Sequence, residues 1–167
     1  MKIAPVAARV QLARVLVAIQ FLLLAIIGVT AFSNMNGSQH NYLGLEASAI
    51  FLGALSIGIA GISLRPSLRI SPIPKSDAPL IATGIYRWVR HPMYLGVILI
   101  GFGLAGYADG IFSWIMEAAL ILDLNIKARF EDELLREIHP ESIHYQLHVS
   151  RLIPCVGGSC RTTCIPD

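Results

Sequence analysis

Four apolar segments divide the chain, and the first of them covers residues 15–32. Gln20 is its only strongly polar member, and Arg9 and Arg14 precede it. An apolar helix of this length crosses most of a hydrocarbon core of roughly 30 Å. We expect a transmembrane helix here. A cleaved signal peptide would have a shorter apolar region, followed by a small-residue cleavage site that this sequence does not show clearly.

The second apolar segment is Leu43–Leu64, in which Glu46 near the start is the only charged residue. Small residues recur along it: Gly53, Ala54, Ser56, Gly58 and Gly61. Small side chains allow another helix to approach closely within a membrane. This segment therefore predicts a second transmembrane helix with a close helix–helix contact.

The third and fourth apolar segments, residues 93–107 and 111–125, are short. Each reaches only about 22 Å as a helix, so we expect a tight hairpin that turns at residues 108–110. The fourth helix is expected to continue to about Ile138, because Pro140 disfavours helical geometry in the residue before it.

Charged residues on this extension are spaced for ion pairs within the helix. Lys127 with Glu131, and Arg129 with Glu133, have the i, i+4 spacing of such pairs. A further amphipathic stretch at residues 141–149 predicts a helix that lies in the membrane interface.

The distribution of basic residues predicts the orientation in the membrane. Residues 65–90 contain four prolines, which prevent a continuous helix, and five basic residues: Arg65, Arg69, Lys75, Arg87 and Arg90. The loop at residues 33–42 has no lysine or arginine. By the positive-inside rule, we expect an all-α polytopic membrane protein with about four transmembrane helices. Both termini and the C-terminal helical segment would then be cytosolic.

Composition supports a membrane protein and argues against a nucleic-acid partner. Hydrophobic residues make up 54% of the chain, charged residues 14%, and the mean hydropathy is +0.63. Soluble domains are about 25% charged. A net charge of +2 is too small to indicate nucleic-acid binding. We expect one integral membrane domain over residues 1–154 and a flexible tail over residues 155–167, with no obligate protein partner.

Ionisable and aromatic side chains that could bind a ligand or catalyse a reaction are clustered in the sequence GIYRWVRHPMYLG at residues 84–96. This stretch carries Tyr86, Arg87, Trp88, Arg90, His91 and Tyr94. Taken singly, the arginines could be membrane anchors and the aromatic residues an interfacial belt. Ionisable residues clustered at the edge of a bilayer are costly and usually mark a site. Together with the acidic helix near Glu131, the cluster favours a functional site.

This motif, preceded by SPIP at residues 71–74 and followed by the acidic helix and RLIP at residues 151–154, resembles the isoprenylcysteine carboxyl methyltransferase and phospholipid methyltransferase group. The resemblance covers about residues 70–154. It implies an integral membrane enzyme that binds S-adenosylmethionine in a cytosolic pocket, formed by the last two helices and the C-terminal segment, and methylates a lipophilic acceptor.

The chain departs from the pattern of that group at several positions after the motif. A paired Glu-Glu is common there, where this chain has Glu131-Asp132, and Ile138-His139 replaces a common Phe-Gly. Ser142 stands at the first of two usual tyrosine positions, and Tyr145 at the second.

The expected cofactor-binding residues are Tyr86, Arg87, Arg90, His91, Tyr94, Glu131 and Tyr145. Arg87 or Arg90 can pair with the cofactor carboxylate. Glu131 can take its ammonium or ribose hydroxyls, and the aromatic rings can stack on adenine or against the sulfonium. His91 and Arg90 are the expected catalytic residues. His91 would mainly hold the cofactor loop, with a role as general base second, and no metal is required.

Two other functions remain open from the sequence. The first is a membrane reductase of the sterol reductase type that uses NADPH, which would need a larger basic pocket. The second is a helical membrane scaffold, which would not explain the clustered ionisable residues. For a methyltransferase, the acceptor could be a prenylated thiol or carboxyl compound, a phospholipid amine or a small thiol. Among these reactions, the resemblance favours isoprenylcysteine carboxyl O-methylation.

Some residues are placed outside the expected site. Gly101, Gly103 and Gly106 match a dinucleotide fingerprint, but they lie in the middle of a span without a preceding strand. We expect them to serve helix packing or close approach of the cofactor. Glu117 and Asp123 fall inside the fourth apolar segment, where an unpaired carboxylate is costly, and their role stays open.

The cysteines and most of the histidines are also placed outside the site. The cysteines, Cys155, Cys160 and Cys164, are expected to be free thiols in the tail. Three histidines near the C-terminus, His139, His144 and His148, are expected to be exposed on the interfacial helix.

Overall fold

The computed structural model describes residues 6–34, 43–64 and 82–154, and these ranges contain α-helices and one 3₁₀ turn but no strand. The helices are α1 (Val6–Ser33), α2 (Leu43–Leu64), α3 (Pro92–Ala108), α4 (Ile111–Ile138) and α5 (Ser142–His148), and the 3₁₀ turn is Gly84–Arg87. The predicted all-α class is confirmed for this part of the chain.

The helix boundaries follow the hydrophobic pattern closely. α2 has the predicted bounds, α4 continues without a break to Ile138, and α1 begins earlier than expected, at Val6. The hairpin between α3 and α4 turns at Asp109, which adopts the left-handed helical conformation with φ 48°. Aspartate tolerates this conformation better than most residues do. The basic loop at residues 65–81, the loop at 35–42 and the cysteine-containing tail lie outside the described residues.

Three polar pairs between α1 and α4 show that these helices run antiparallel. Ser113 Oγ donates to Thr30 Oγ1 at 3.1 Å, Lys127 Nζ donates to Gln20 Oε1 at 3.0 Å, and Arg9 Nη1 pairs with Glu137 Oε2 at 2.6 Å. The residue numbers rise along α1 as they fall along α4. These pairs run along most of both helices, so α1 is an integral part of the helix bundle.

α3 is the central helix of the bundle, because it packs against α1, α2 and α4. Its contact with α2 is made through glycines. A Cβ atom on Gly96 would lie 2.6 Å from the carbonyl oxygen of Gly53, and Ser56 Oγ donates to the Pro92 carbonyl at 2.8 Å. The predicted close contact is therefore confirmed at Gly53 and Ser56. It is wrong for Gly58 and Gly61, where an added Cβ atom would have no neighbour within 4 Å among the residues that the structure describes.

The glycines of the dinucleotide-like pattern serve helix packing. A Cβ on Gly103 would meet the Glu46 carbonyl oxygen of α2 at 2.6 Å, and one on Gly101 would clash with the carboxylate of Glu117 on α4. The packing interpretation of this pattern is confirmed. Because the helices that pack through these contacts run antiparallel, the N-termini of α1 and α3 and the C-termini of α2 and α4 lie at one end of the bundle.

Among the described residues, two helices are long and apolar enough to cross a membrane, α1 over Ala8–Ser33 and α2 over Gly44–Leu64. In the most apolar 18-residue stretch of each helix, only 22% of α1 and 17% of α2 is buried. A core helix of a soluble protein would be mostly buried. Large apolar side chains such as Phe21 and Phe51 are instead exposed, at 63% and 66%. This exposure is typical of surfaces that face lipid.

A methyl group added at Gly96 should destabilise the α2–α3 contact. We expect Gly96→Ala to lower the free energy of unfolding by about 1–3 kcal/mol, because the new Cβ meets backbone that must shift. Thermal unfolding of detergent-solubilised protein measures the effect. Gly58→Ala is the matched control, since a Cβ there meets no atom of the described part of the chain within 4 Å. Equal melting temperatures for the two variants would contradict the described packing.

Candidate functional site

The motif at residues 84–96 forms a tight connection that leads into α3. The 3₁₀ turn begins at Gly84, whose φ of 63° favours glycine. Pro92 occupies the first turn of α3, where its missing N–H costs nothing. His91 is the N-cap residue, and its carbonyl accepts hydrogen bonds from the N–H groups of Tyr94 and Leu95. Arg90 and His91 are thereby fixed just before the first turn, and Tyr94 within it.

The carboxylate of Asp132 on α4 binds this connection. Arg90 Nη1 donates to Asp132 Oδ2 at 2.9 Å, and His91 Nε2 donates to Asp132 Oδ1 at 2.9 Å. Arg151 Nε, from the segment after α5, donates to the same Oδ2 at 2.8 Å. Asp132 is only 2% exposed. One buried carboxylate therefore joins three parts of the chain that are distant in sequence.

The electrostatics of this centre follow from burial and pairing. Burial opposes ionisation of Asp132, but hydrogen bonds from His91 and Arg151 and the charge of Arg90 outweigh it, so the pKa of Asp132 lies below its ordinary value. Burial also lowers the pKa of Arg90, and the negative charge of Asp132 partly offsets this effect. Asp132 is thus an anion that partly compensates the positive charges of Arg90 and Arg151.

Glu131, the neighbouring carboxylate, faces a different set of groups. Tyr94 Oη donates to Glu131 Oε1 at 2.5 Å, and His91 Nδ1 lies 3.5 Å from Glu131 Oε2. The rings of His91 and Tyr94 are stacked, with centroids 5.3 Å apart and planes inclined by 5°. Both ring nitrogens of His91 therefore face a carboxylate, one on Glu131 and one on Asp132.

The segment after α4 packs back onto the motif. Val89 and Ser150 form a parallel bridge, in which the Arg90 N–H donates to the Ser150 carbonyl at 2.9 Å. Tyr145 Oη on α5 donates to the backbone carbonyl of Tyr86 at 2.6 Å. These bonds hold the C-terminal segment beside the motif independently of the charged groups.

The structure brings together four of the residues expected from the sequence: Arg90, His91, Tyr94 and Glu131. Tyr86 and Tyr145 lie beside them and are buried. Burial and the charge of Glu131 raise the pKa of Tyr86 to about 12, so its hydroxyl stays protonated at neutral pH. Arg87 is exposed, as is Trp88, at 65%. Neither residue takes part in the cluster around Asp132.

Several residues of the cluster were not among those expected. Asp132 was visible only as the second member of an acidic pair, and Arg151 only as part of RLIP. Lys127 was expected to pair with Glu131, and this was wrong: its Nζ donates to Gln20 and lies 4.7 Å from the centroid of the Tyr94 ring. No local spacing rule identifies a partner on a helix that is distant in sequence.

This end of the bundle carries groups that could hold a polar ligand. The part-exposed carboxylate of Glu131 suits an ammonium or ribose hydroxyls, while exposed Arg87 and Trp88 offer a cation and an aromatic face. Within the described ranges, Arg90 Nε is buried and has no hydrogen-bond partner.

The described ranges contain no candidate metal site. Within them, no three histidine, cysteine, aspartate or glutamate side chains come together as a metal site. His144 and His148 stack on each other with ring centroids 4.4 Å apart, and His139 bonds to Glu141 at 2.8 Å.

Loss of the Asp132 charge should destabilise the folded protein. We expect Asp132→Asn to cost on the order of 3 kcal/mol, because it leaves two buried or half-buried arginines without a counter-charge. Denaturant unfolding in detergent measures the loss. Glu137→Gln is the control. Glu137 pairs with Arg9 at the surface, where such a pair contributes at most about 1 kcal/mol. Similar losses for both variants would show that Asp132 is not the organising group.

Acidification should remove the same stabilisation. Because the pKa of Asp132 is lower in the folded protein than its ordinary value of 3.8, its contribution is fully present above that value. It is lost as the pH falls through the folded-state pKa. We expect wild-type protein to lose more stability than Asp132→Asn between neutral pH and pH values below 3.8. Parallel pH–stability curves for the two proteins would argue against this contribution.

Comparison with known proteins identifies the family. No curated protein and no solved structure shows significant similarity to the chain. The family model described as "Isoprenylcysteine carboxyl methyltransferase (ICMT) family" matches residues 48–135, which is more than half of the 167 residues. The matched region includes the motif, α3 and α4 up to and including Asp132. The chain therefore belongs to the isoprenylcysteine carboxyl methyltransferase family.

Proposed function

We propose that this protein transfers a methyl group from S-adenosylmethionine to a lipophilic acceptor at the membrane, in a reaction most like isoprenylcysteine carboxyl O-methylation. The observation that carries this proposal is the meeting of the arginine- and histidine-containing motif with the acidic face of α4 at Glu131 and Asp132. The family assignment supports methyl transfer and offers no support for a nicotinamide-dependent reductase.

The two neighbouring carboxylates would have separate roles in binding the cofactor. The side chain of Asp132 is 3% exposed and fully engaged, whereas that of Glu131 is 20% exposed. Glu131 would therefore take the cofactor ammonium or ribose hydroxyls, with Tyr94 orienting it through the hydroxyl hydrogen bond. Arg87, which is exposed, or Arg90 would hold the cofactor carboxylate.

His91 would act mainly by orienting the site. When bound, S-adenosylmethionine would supply an electrophilic methyl group: the acceptor atom would form a bond to the methyl carbon, and the electron pair of the broken C–S bond would remain on sulfur. A carboxylate acceptor is already ionised and needs no general base. Since both ring nitrogens of His91 face carboxylates, holding the loop ranks ahead of proton transfer, as the sequence suggested.

We also propose that four segments of the chain span the membrane, with the site on the cytosolic side. The four spans would be α1, α2, α3 and the apolar first part of α4, residues 111–125. Because the packed helices run antiparallel, the two arginines of the motif and the basic residues of the α4 extension lie at one end of the bundle. The positive-inside rule assigns that end to the cytosol. A water-soluble cofactor and a membrane-embedded acceptor could then meet there.

A binding titration of purified, detergent-solubilised protein tests the proposed function. We expect S-adenosylhomocysteine to bind, and Glu131→Ala and His91→Ala each to abolish binding, because each removes a polar group at the centre of the cluster. Glu133→Ala is the matched control, since Glu133 is exposed on the same helix and its loss should leave affinity unchanged.

NADPH is the competing ligand in the same titration. Binding of NADPH without binding of S-adenosylhomocysteine would contradict methyl transfer and favour the reductase. Wild-type affinity in Glu131→Ala and His91→Ala, with both variants folded, would remove these residues from the cofactor site.

A further inference from the structure

Lys127 is a buried cation next to the candidate site. Its exposure is 8%, its Nζ donates to the neutral side chain of Gln20 at 3.0 Å, and it lies 4.7 Å from the centroid of the Tyr94 ring. In the described ranges, no carboxylate lies within 4.0 Å of this ammonium group. Asp123 and Glu131 act on it only from a greater distance.

A buried ammonium group without a contacting anion is energetically unfavourable. An ammonium has three N–H donors, and the hydrogen bond to Gln20 uses one of them. The face of the Tyr94 ring provides part of the compensation through a cation–π contact. Complete compensation requires a negative charge in contact with the nitrogen. An anionic group that entered this site would therefore be bound more tightly than a neutral one.

The position of Lys127 also suits an acceptor that arrives from the membrane. Lys127 lies one helical turn before Glu131 on the same face of α4, and Tyr94 contacts both residues. Its partner Gln20 belongs to the first apolar segment, so this ammonium lies on the membrane side of the cluster. The polar end of a lipophilic molecule could reach it while the apolar tail stays in the lipid.

We propose that Lys127 binds the negatively charged group of the methyl acceptor and thereby selects a carboxylate over an amine. This inference rests on the proposed function. A protonated amine would face the ammonium of Lys127 as a like charge, which is unfavourable in a site with little water. Lys127 is then a specificity-determining residue, separate from Glu131 and His91, which face the cofactor.

Lys127 could instead serve only to join α1 to α4. Three variants distinguish this structural role from binding of the acceptor's negative charge. Lys127→Gln removes the charge but can still bond to Gln20. Lys127→Arg keeps the charge. Gln20→Leu removes the bond between α1 and α4 and leaves the charge in place. If Lys127 only joined the two helices, Gln20→Leu and Lys127→Gln would not differ in their preference for charged ligands.

The experiment measures binding of two probes to the purified protein in detergent: S-farnesylthioacetic acid and its primary amide, which share the same apolar tail. We expect wild-type protein, Lys127→Arg and Gln20→Leu to bind the acid at least tenfold more tightly than the amide. Lys127→Gln should bind the two probes with similar affinity. The preference then depends on the charge at position 127 and not on the hydrogen bond to α1.

Three results would overturn the inference: equal affinity of the wild-type protein for both probes, no binding of either probe, or retained preference in Lys127→Gln. Titration of wild-type protein with S-adenosylhomocysteine separates this inference from the proposed function. A charge-dependent preference for the acid without binding of S-adenosylhomocysteine would refute methyl transfer and keep Lys127 as an anion-binding residue.

Discussion

The structure depends on one buried carboxylate, that of Asp132. An isolated carboxylate at 2% exposure would be expensive to keep ionised. Three hydrogen bonds to the carboxylate stabilise its ionised form. They come from Arg90 and His91 of the motif and from Arg151 of the C-terminal segment. The same bonds hold the motif and the C-terminal segment against α4. The Val89–Ser150 bridge and the hydrogen bond from Tyr94 to Glu131 add to this attachment, so the residues that precede α3 have a fixed relation to the acidic helix.

Adjacent positions on a helix point about 100° apart, and this separates the roles of Glu131 and Asp132. Asp132 faces the protein and is saturated by its partners. Glu131 keeps part of its carboxylate accessible and contacts Tyr94 and His91.

The hydrophobic pattern predicted the helices well because the apolar segments are long and are bounded by proline, glycine and polar or charged residues. It could not predict which side of a helix meets another helix. Gly53 and Gly58 look equivalent in the sequence, yet only Gly53 faces α3. Lys127 shows the same limit for charges: the local i, i+4 rule suggested Glu131, whereas the helix bundle supplied Gln20. Asp132 stayed unrecognised because its partners come from two distant segments.

The polar pairs between α1 and α4 also fix the position of the site residues along the axis of the helix bundle. The Thr30–Ser113 pair sets the height of α4 at one end, and the Gln20–Lys127 and Arg9–Glu137 pairs set it toward the other. Lys127 is thereby held level with an apolar segment, while Asp132, more than one turn further along α4, lies nearer the end of the bundle. Under the proposed function, this offset separates the two substrates. The acceptor would enter from the lipid beside Lys127, and the cofactor from the water-facing end beside Glu131.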